Sequence, residues 1–220
     1  MKTQSSRNKL FCVLYGISGI LGVVMLIISF NINAGPRPGS TVNQLIAFGH
    51  QNYSSILWGA WLQAVAPVFI ILFAFALVHL AGASKTIAGW MTFFGSVALM
   101  TVSLIEITFY IAVMFKSPPD GVLISMNIIY AVQHLYFMVA APTLFISLGA
   151  VLLNSDVIPR IFGYLAILLG LAFATLGIIF LFELVLPTWV TAFAGVQAFW
   201  WLAASISLIT RSGKISYADR

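Results

Sequence analysis

Charge is what this sequence has least of. Only 7% of its 220 residues are Asp, Glu, Lys or Arg, while 61% are hydrophobic, against about 25% charged residues in an ordinary soluble domain. A water-facing surface cannot be made from that inventory, so the solvent for most of the chain is lipid. Short alternating apolar segments, the mark of a membrane barrel, are missing as well; the apolar runs are helix-length, and in hydrocarbon only a helix or a closed barrel satisfies every backbone polar group. The fold class read from this is all-α, a polytopic membrane bundle. Cysteine is nearly absent: Cys12 alone excludes an intrachain disulfide and a thiolate metal cluster. Glycine-rich phosphate loops, nucleophile elbows and HExxH patterns are lacking too, which argues against ATP-driven work by this chain.

What is present is ordered by position. Apolar spans read at about 10–30, 55–82, 88–115, 122–153, 161–186 and 188–210, each near or above the roughly 20 residues that cross a bilayer. Six spans make residues 1–220 one transmembrane domain. The first run, Leu10 to Phe30, follows Lys2, Arg7 and Lys9 like a signal peptide, but exceeds the roughly 7–15 apolar residues of one and is read as a span. With the N-terminus inside, Lys2, Arg7, Lys9, Lys85, Arg160, Arg211, Lys214 and Arg220 lie on the cytoplasmic side and only Arg37 and Lys116 outside. That bias gives both termini a cytoplasmic location. Trp58 and Trp189 then fall at the outer boundary, Trp90 and Tyr164 at the inner one. The net charge of +5 serves orientation, and no nucleic-acid partner is expected.

Breaks between spans carry turn chemistry: Gly35-Pro36-Arg37-Pro38-Gly39, Ser84-Lys85, Lys116-Ser117-Pro118-Pro119-Asp120-Gly121, Asn154-Ser155-Asp156 with Pro159, and Pro187. The long outer loop, 31–54, holds Val42, Leu45, Ile46 and Phe48 among polar residues. It suits a short amphipathic helix over the outer mouth of the bundle, or equally a solvated connector. Asn52-Tyr53-Ser54 matches a glycosylation sequon, a weak pattern by itself. Small residues form ridges for close helix approach at Gly163, Ala166, Gly170, Ala174 and Gly177, and at Ser18 with Gly22. Pro67 and Pro142 each interrupt a span and free a carbonyl one turn earlier; the resulting bends either enclose a cavity or adjust packing.

Deep ionisable residues are candidates for function because inserting one costs about 2.5–3.5 kcal/mol. Glu106 and His134 both fall roughly 14–18 Å from the outer ends of their spans at the helical rise. Each sits on a polar stripe: Ser103, Glu106 and Tyr110 on one helix, Asn127, Tyr130 and His134 on the next. No Lys or Arg lies at that depth, so Glu106 is expected to be uncharged or to share a proton with His134. A Glu and His pair can move a proton on a substrate, or merely tie two helices. Gln63 and Gln197 lie about 12 Å deep by the same measure, with Trp61, Trp200 and Trp201 nearby. Tryptophan this deep lines a pocket or packs a core, and packing is the commoner role. His50 and His79 are too far from His134 for one metal or haem site, so neither metal nor cofactor is expected. Glu183, four residues before Pro187, reads as interfacial.

The stretch Ile158-Pro159-Arg160-Ile161-Phe162-Gly163, the glycine-spaced span after it, Leu186-Pro187, the start Leu14-Tyr15-Gly16 and a histidine in the fourth span together resemble a large bacterial family of six-span proteins known only as a domain of unknown function. The resemblance implies a multi-pass protein of the bacterial inner membrane and lends no activity. In that family the fourth-span histidine stands among glycines and tyrosines, whereas here the segment reads Gln133-His134-Leu135-Tyr136-Phe137.

Four functions fit these residues. The favoured one is a protein that binds a lipophilic small molecule or lipid in an intramembrane cavity lined by Gln63, Trp61, Ser103, Tyr110, Asn127, Tyr130, Gln197, Trp200 and Trp201 around Glu106 and His134. The second is a membrane enzyme, an isomerase or cyclase of isoprenoid-like substrates, with Glu106 and His134 catalytic and Glu106 the acid. A proton-coupled transporter is opposed by the lack of an internal repeat. An accessory subunit of a membrane complex, or a homo-oligomer, would use the same polar residues for assembly.

Overall fold

The computed structural model describes residues 2–33, 36, 39–114, 118–183 and 185–213, apart from the side chains of 2–8, 188, 191 and 194. Among the cations that set the charge bias, Arg37, Lys116, Lys214 and Arg220 lie outside the described residues, as do Gly35, Pro38 and Ser117 of the expected turns. The described residues form helices and no strand: α1 (Lys2–Ile32), α2 (Val42–Gln51), α3 (Tyr53–Leu80), α4 (Ile87–Met114), α5 (Pro119–Leu135), a π-helical turn (Tyr136–Ala140), α6 (Ala141–Leu153), α7 (Ile161–Ile179), α8 (Thr188–Ala194) and α9 (Val196–Arg211). Five segments are long and apolar enough to cross a membrane: Lys9–Ile32, Tyr53–Leu80, Ile87–Met114, Pro119–Leu153 and Ile161–Ile179. Their outward faces carry large apolar side chains, such as Leu168 and Phe94, as a lipid solvent requires.

Two expected boundaries differ. The span expected at 161–186 ends as a helix at Ile179, after nineteen residues that measure about 28 Å, close to the hydrocarbon thickness. Phe182 and Glu183 beyond it are exposed. The segment expected as a continuous helix at 188–210 is broken at Gly195, where the backbone tightens into bonds from Gly195 N–H to Ala192 O and from Ala198 N–H to Gly195 O. These join residues three apart, and glycine is the weakest helix former at such a place.

Small residues set the packing. α1 lies against both α3 and α9. A Cβ on Gly22 would stand 2.9 Å from the Ala66 carbonyl oxygen of α3, and one on Gly16 would collide with Ile209 of α9. Hydrogen bonds from Ser18 Oγ to Phe69 O and from Ser29 Oγ to Gly59 O, both 2.8 Å, run along the same α1–α3 seam. The ridge on α7 meets α6: a Cβ on Gly163 would lie 3.0 Å from Gly149 O, and one on Gly149 would lie 2.7 Å from Gly163 O. α4 reaches α6 at Gly95, whose added Cβ would fall 2.5 Å from the Leu144 backbone nitrogen. Thr92 Oγ1 donates to Ser147 Oγ at 3.0 Å beside it.

Both prolines are accommodated locally. Pro67 cannot donate to the carbonyl of Gln63, four residues earlier, and Ser103 Oγ of α4 donates to that oxygen instead at 2.9 Å. Pro142 follows the π-helical turn, in which Ala141 N–H reaches back five residues to Tyr136 O; the wider turn shifts the register where proline would otherwise clash. The expected helix in the long loop is α2. Thr41 and Gln44 close a capping box at its start, and Leu45 is buried against Val122, Met126 and Ile129 of α5. α2 therefore lies over one end of α4 and α5. Asn52 of the sequon donates its Nδ2 to Phe48 O at 2.9 Å and so ends α2.

Candidate functional site

The polar groups that the sequence places deep in the spans are distributed over three separate places. At the first, Glu106 on α4 is buried between α3 and α5. Gln63 Nε2 donates to Glu106 Oε2 at 2.8 Å and Gln133 Nε2 donates to Oε1 at 3.0 Å. Gln63 is itself held by the bond from Ser103 to its backbone oxygen. Pro67, Gln63, Ser103 and Glu106 thus form one connected chain, begun by the missing proline N–H. Tyr110, one turn along α4, packs with Tyr130 against the cluster of Leu45, Val122, Met126 and Ile129.

Among the described residues no Lys, Arg or His forms an ion pair with the Glu106 carboxyl, and the centre can serve either form of it. With both amides donating, the two oxygens of a carboxylate are satisfied. With one carboxamide turned over, its oxygen accepts the proton of a neutral acid, and the other still donates. The two arrangements differ by a single amide flip.

The expected proton sharing between Glu106 and His134 has no hydrogen bond behind it, because Gln133 occupies that position. Neighbouring residues on a helix are about 100° apart, so an α5 that points Gln133 at Glu106 turns His134 aside. His134 is buried; its Nδ1 lies 2.9 Å from Tyr130 O, and its Nε2 is buried with no hydrogen-bond partner among the described residues. A carbonyl only accepts, so the proton of a neutral imidazole sits on Nδ1 and leaves Nε2 as a lone-pair acceptor. This is the second place.

The third is the aromatic core. Tyr136 donates its hydroxyl to Gln197 Oε1, and Gln197 accordingly stands apart from Gln63. Trp200 and Trp201 are buried edge to face, with centroids 4.8 Å apart, and both pack on Phe145. Trp200 Nε1 donates to Phe162 O at 3.0 Å. Trp201 meets Phe73, about 15 Å along α3 from Gln63 at the helical rise. These two tryptophans pack the core and line no opening around Glu106.

Asn127 and Trp61 are exposed, Trp61 by 53%. Asn127 misses the interior because α5 buries Val122, Met126 and Ile129 beneath α2. Trp61 instead joins Tyr53, Ser54, Leu57 and Trp58 around a shallow depression of about 340 Å³ on α3. Gln133 and Tyr136 were missed in the sequence; each is an amide or hydroxyl in an otherwise apolar span, and a count of every such group would have found them. No group of three or more His, Cys, Asp or Glu suited to a metal ion occurs among the described residues.

No family model, no curated protein and no solved structure matches the chain.

Proposed function

We propose that this chain is a six-span protein of the bacterial inner membrane, akin to the family it resembles, that binds a lipophilic small molecule or lipid at His134 of α5, one position round the helix from the polar centre of α3, α4 and α5. In this reading α8 and α9 together make the sixth crossing, bent at Gly195, and both termini are cytoplasmic. The observation that carries the proposal is His134: a buried acceptor, Nε2, without a partner among the described residues. Leaving such an acceptor unpaired costs about 1–3 kcal/mol, and buried unpaired groups collect where a ligand is to supply the missing half. The ligand it suits has a hydrogen-bond donor, a hydroxyl or an amide N–H, on an apolar body.

A Glu and His acid–base pair, or a proton relay for transport, would need a titratable side chain to meet Glu106. Its two oxygens instead meet carboxamides, which have no proton to lose near neutral pH. That favours binding over catalysis.

The test is native mass spectrometry of the purified protein beside His134→Phe and Glu106→Gln. A co-purified small molecule held by the wild type and lost from folded His134→Phe supports the reading. Equal retention of bulk phospholipid alone in all three sinks it.

A further inference from the structure

A separate site is built at the end of the bundle opposite α2, where α6 turns into α7 and α9 ends. Two arginines converge there on one residue. Arg211, the last residue of α9, donates Nη2 to the backbone oxygen of Asp156 at 3.4 Å. Arg160 stands with Nη2 3.7 Å from Asp156 Oδ1, the two side chains being 65% and 89% exposed. Neither contact uses up its guanidinium. The first is long, the second is an exposed pair of the kind that contributes little, and Arg211 Nε is buried with no hydrogen-bond partner among the described residues.

A guanidinium N–H without an acceptor among the described residues can take an oxygen from outside the chain. The surroundings say of what kind. Tyr164, one turn beyond Arg160 on α7, is 63% exposed, and Trp90 on α4 is 56% exposed at the same end; amphipathic rings of this type stand at headgroup level. Arg160 caps the start of α7, whose nineteen residues turn their positive end toward the same region. A planar guanidinium with free N–H groups matches the paired oxygens of a phosphate, and a phosphate at headgroup depth belongs to a lipid. We infer that Arg160 and Arg211 form a binding site for the phosphate of an anionic phospholipid at the α6–α7 turn. Asp156 is the internal competitor: its carboxylate holds Arg160 when no phosphate is present. The site is independent of Glu106 and His134 and of the function proposed above.

The experiment is a native mass-spectrometric titration of the full chain in detergent with dioleoylphosphatidylglycerol and, separately, with dioleoylphosphatidylcholine. The wild type should retain phosphatidylglycerol preferentially. The double variant R160Q/R211Q should lose about tenfold in affinity for it, the consequence of losing charge-assisted hydrogen bonds, with phosphatidylcholine unaffected. R211K should fall part of the way, since lysine keeps the charge and has no Nε–H. Asp156→Asn should bind phosphatidylglycerol more tightly than the wild type. Equal affinity for the two lipids, or an unchanged affinity in R160Q/R211Q, overturns the site. Should the double variant not fold, Asp156→Asn decides: no gain in affinity overturns it. Displacement of the lipid by millimolar inorganic phosphate supports a phosphate site open to free anions, and resistance to displacement supports recognition of the lipid as a whole.

Discussion

The two halves of this bundle are held by different means. Around α6 and α7 the helices touch through glycine, backbone on backbone, with Phe145, Phe173, Trp200 and Trp201 filling the middle. Around α3, α4 and α5 they are tied by side-chain hydrogen bonds that run from Pro67 through Gln63 and Ser103 to Glu106 and Gln133. In lipid there is little hydrophobic gain from bringing helices together, so close packing and polar ties are the two means left. The glycine half has no slack. The polar half keeps groups that can exchange partners, which is where binding is compatible with stability.

The largest way to break that comparison is Gly95→Val. Its Cβ would fall 2.5 Å from the Leu144 backbone nitrogen, and a backbone cannot rotate aside; a loss of about 3 kcal/mol is expected, read as a collapse of the folded fraction in steric-trapping or denaturant unfolding in detergent. Glu106→Leu should come next, at about 2 kcal/mol, because it leaves the buried carboxamide of Gln63 and the half-buried one of Gln133 unpaired, whereas Glu106→Gln keeps partners for both and should cost less. Equal losses for the two would show that the amides are not held by Glu106.

Ser103→Ala should cost about 0.6–1 kcal/mol, the usual worth of an interhelical hydrogen bond in a membrane. The sharper form is a double-mutant cycle. In a Pro67→Ala background the backbone gains an N–H that satisfies the Gln63 carbonyl, and Ser103→Ala should then cost close to nothing; an unchanged cost would refute the link between the proline and the serine. The smallest effect belongs to Trp61→Ala on the exposed face of α3, within about 0.5 kcal/mol in the same assays.

Much of the helical layout was legible because hydrophobic length is a strong signal. Starts expected at 55, 88 and 161 are observed at Tyr53, Ile87 and Ile161, and the ridge from Gly163 to Gly177 faces α6 and the π-helical turn as small-residue spacing implies. Helix ends were less legible. An apolar sequence continues past Ile179 and through Gly195 with no change in hydropathy, while the backbone ends or breaks there. Of the residues around Glu106, the sequence singled out Gln63 and Ser103 but not Gln133, and it did not give their pairing. Depth follows from counting residues, which put Glu106 roughly 14–18 Å and Gln63 about 12 Å from the outer side without pairing them; the structure joins the two by a hydrogen bond. Azimuth does not follow from counting, because one position is about 100° of rotation, and that single position is the difference between His134 and Gln133 facing Glu106. Asn127 failed for a tertiary reason: α2, a helix outside the spans, selects which face of α5 is covered.

The turn at Tyr136–Ala140 has a meaning beyond accommodating Pro142. A π-helical turn holds one residue more than the α-helix it interrupts, so α5 and α6 are out of phase by one residue along a common axis. Deletion of Val139, which is exposed, would bring the two halves into one continuous phase. The face that carries Gln133 and His134 would then turn by about 100° relative to the face that meets α7.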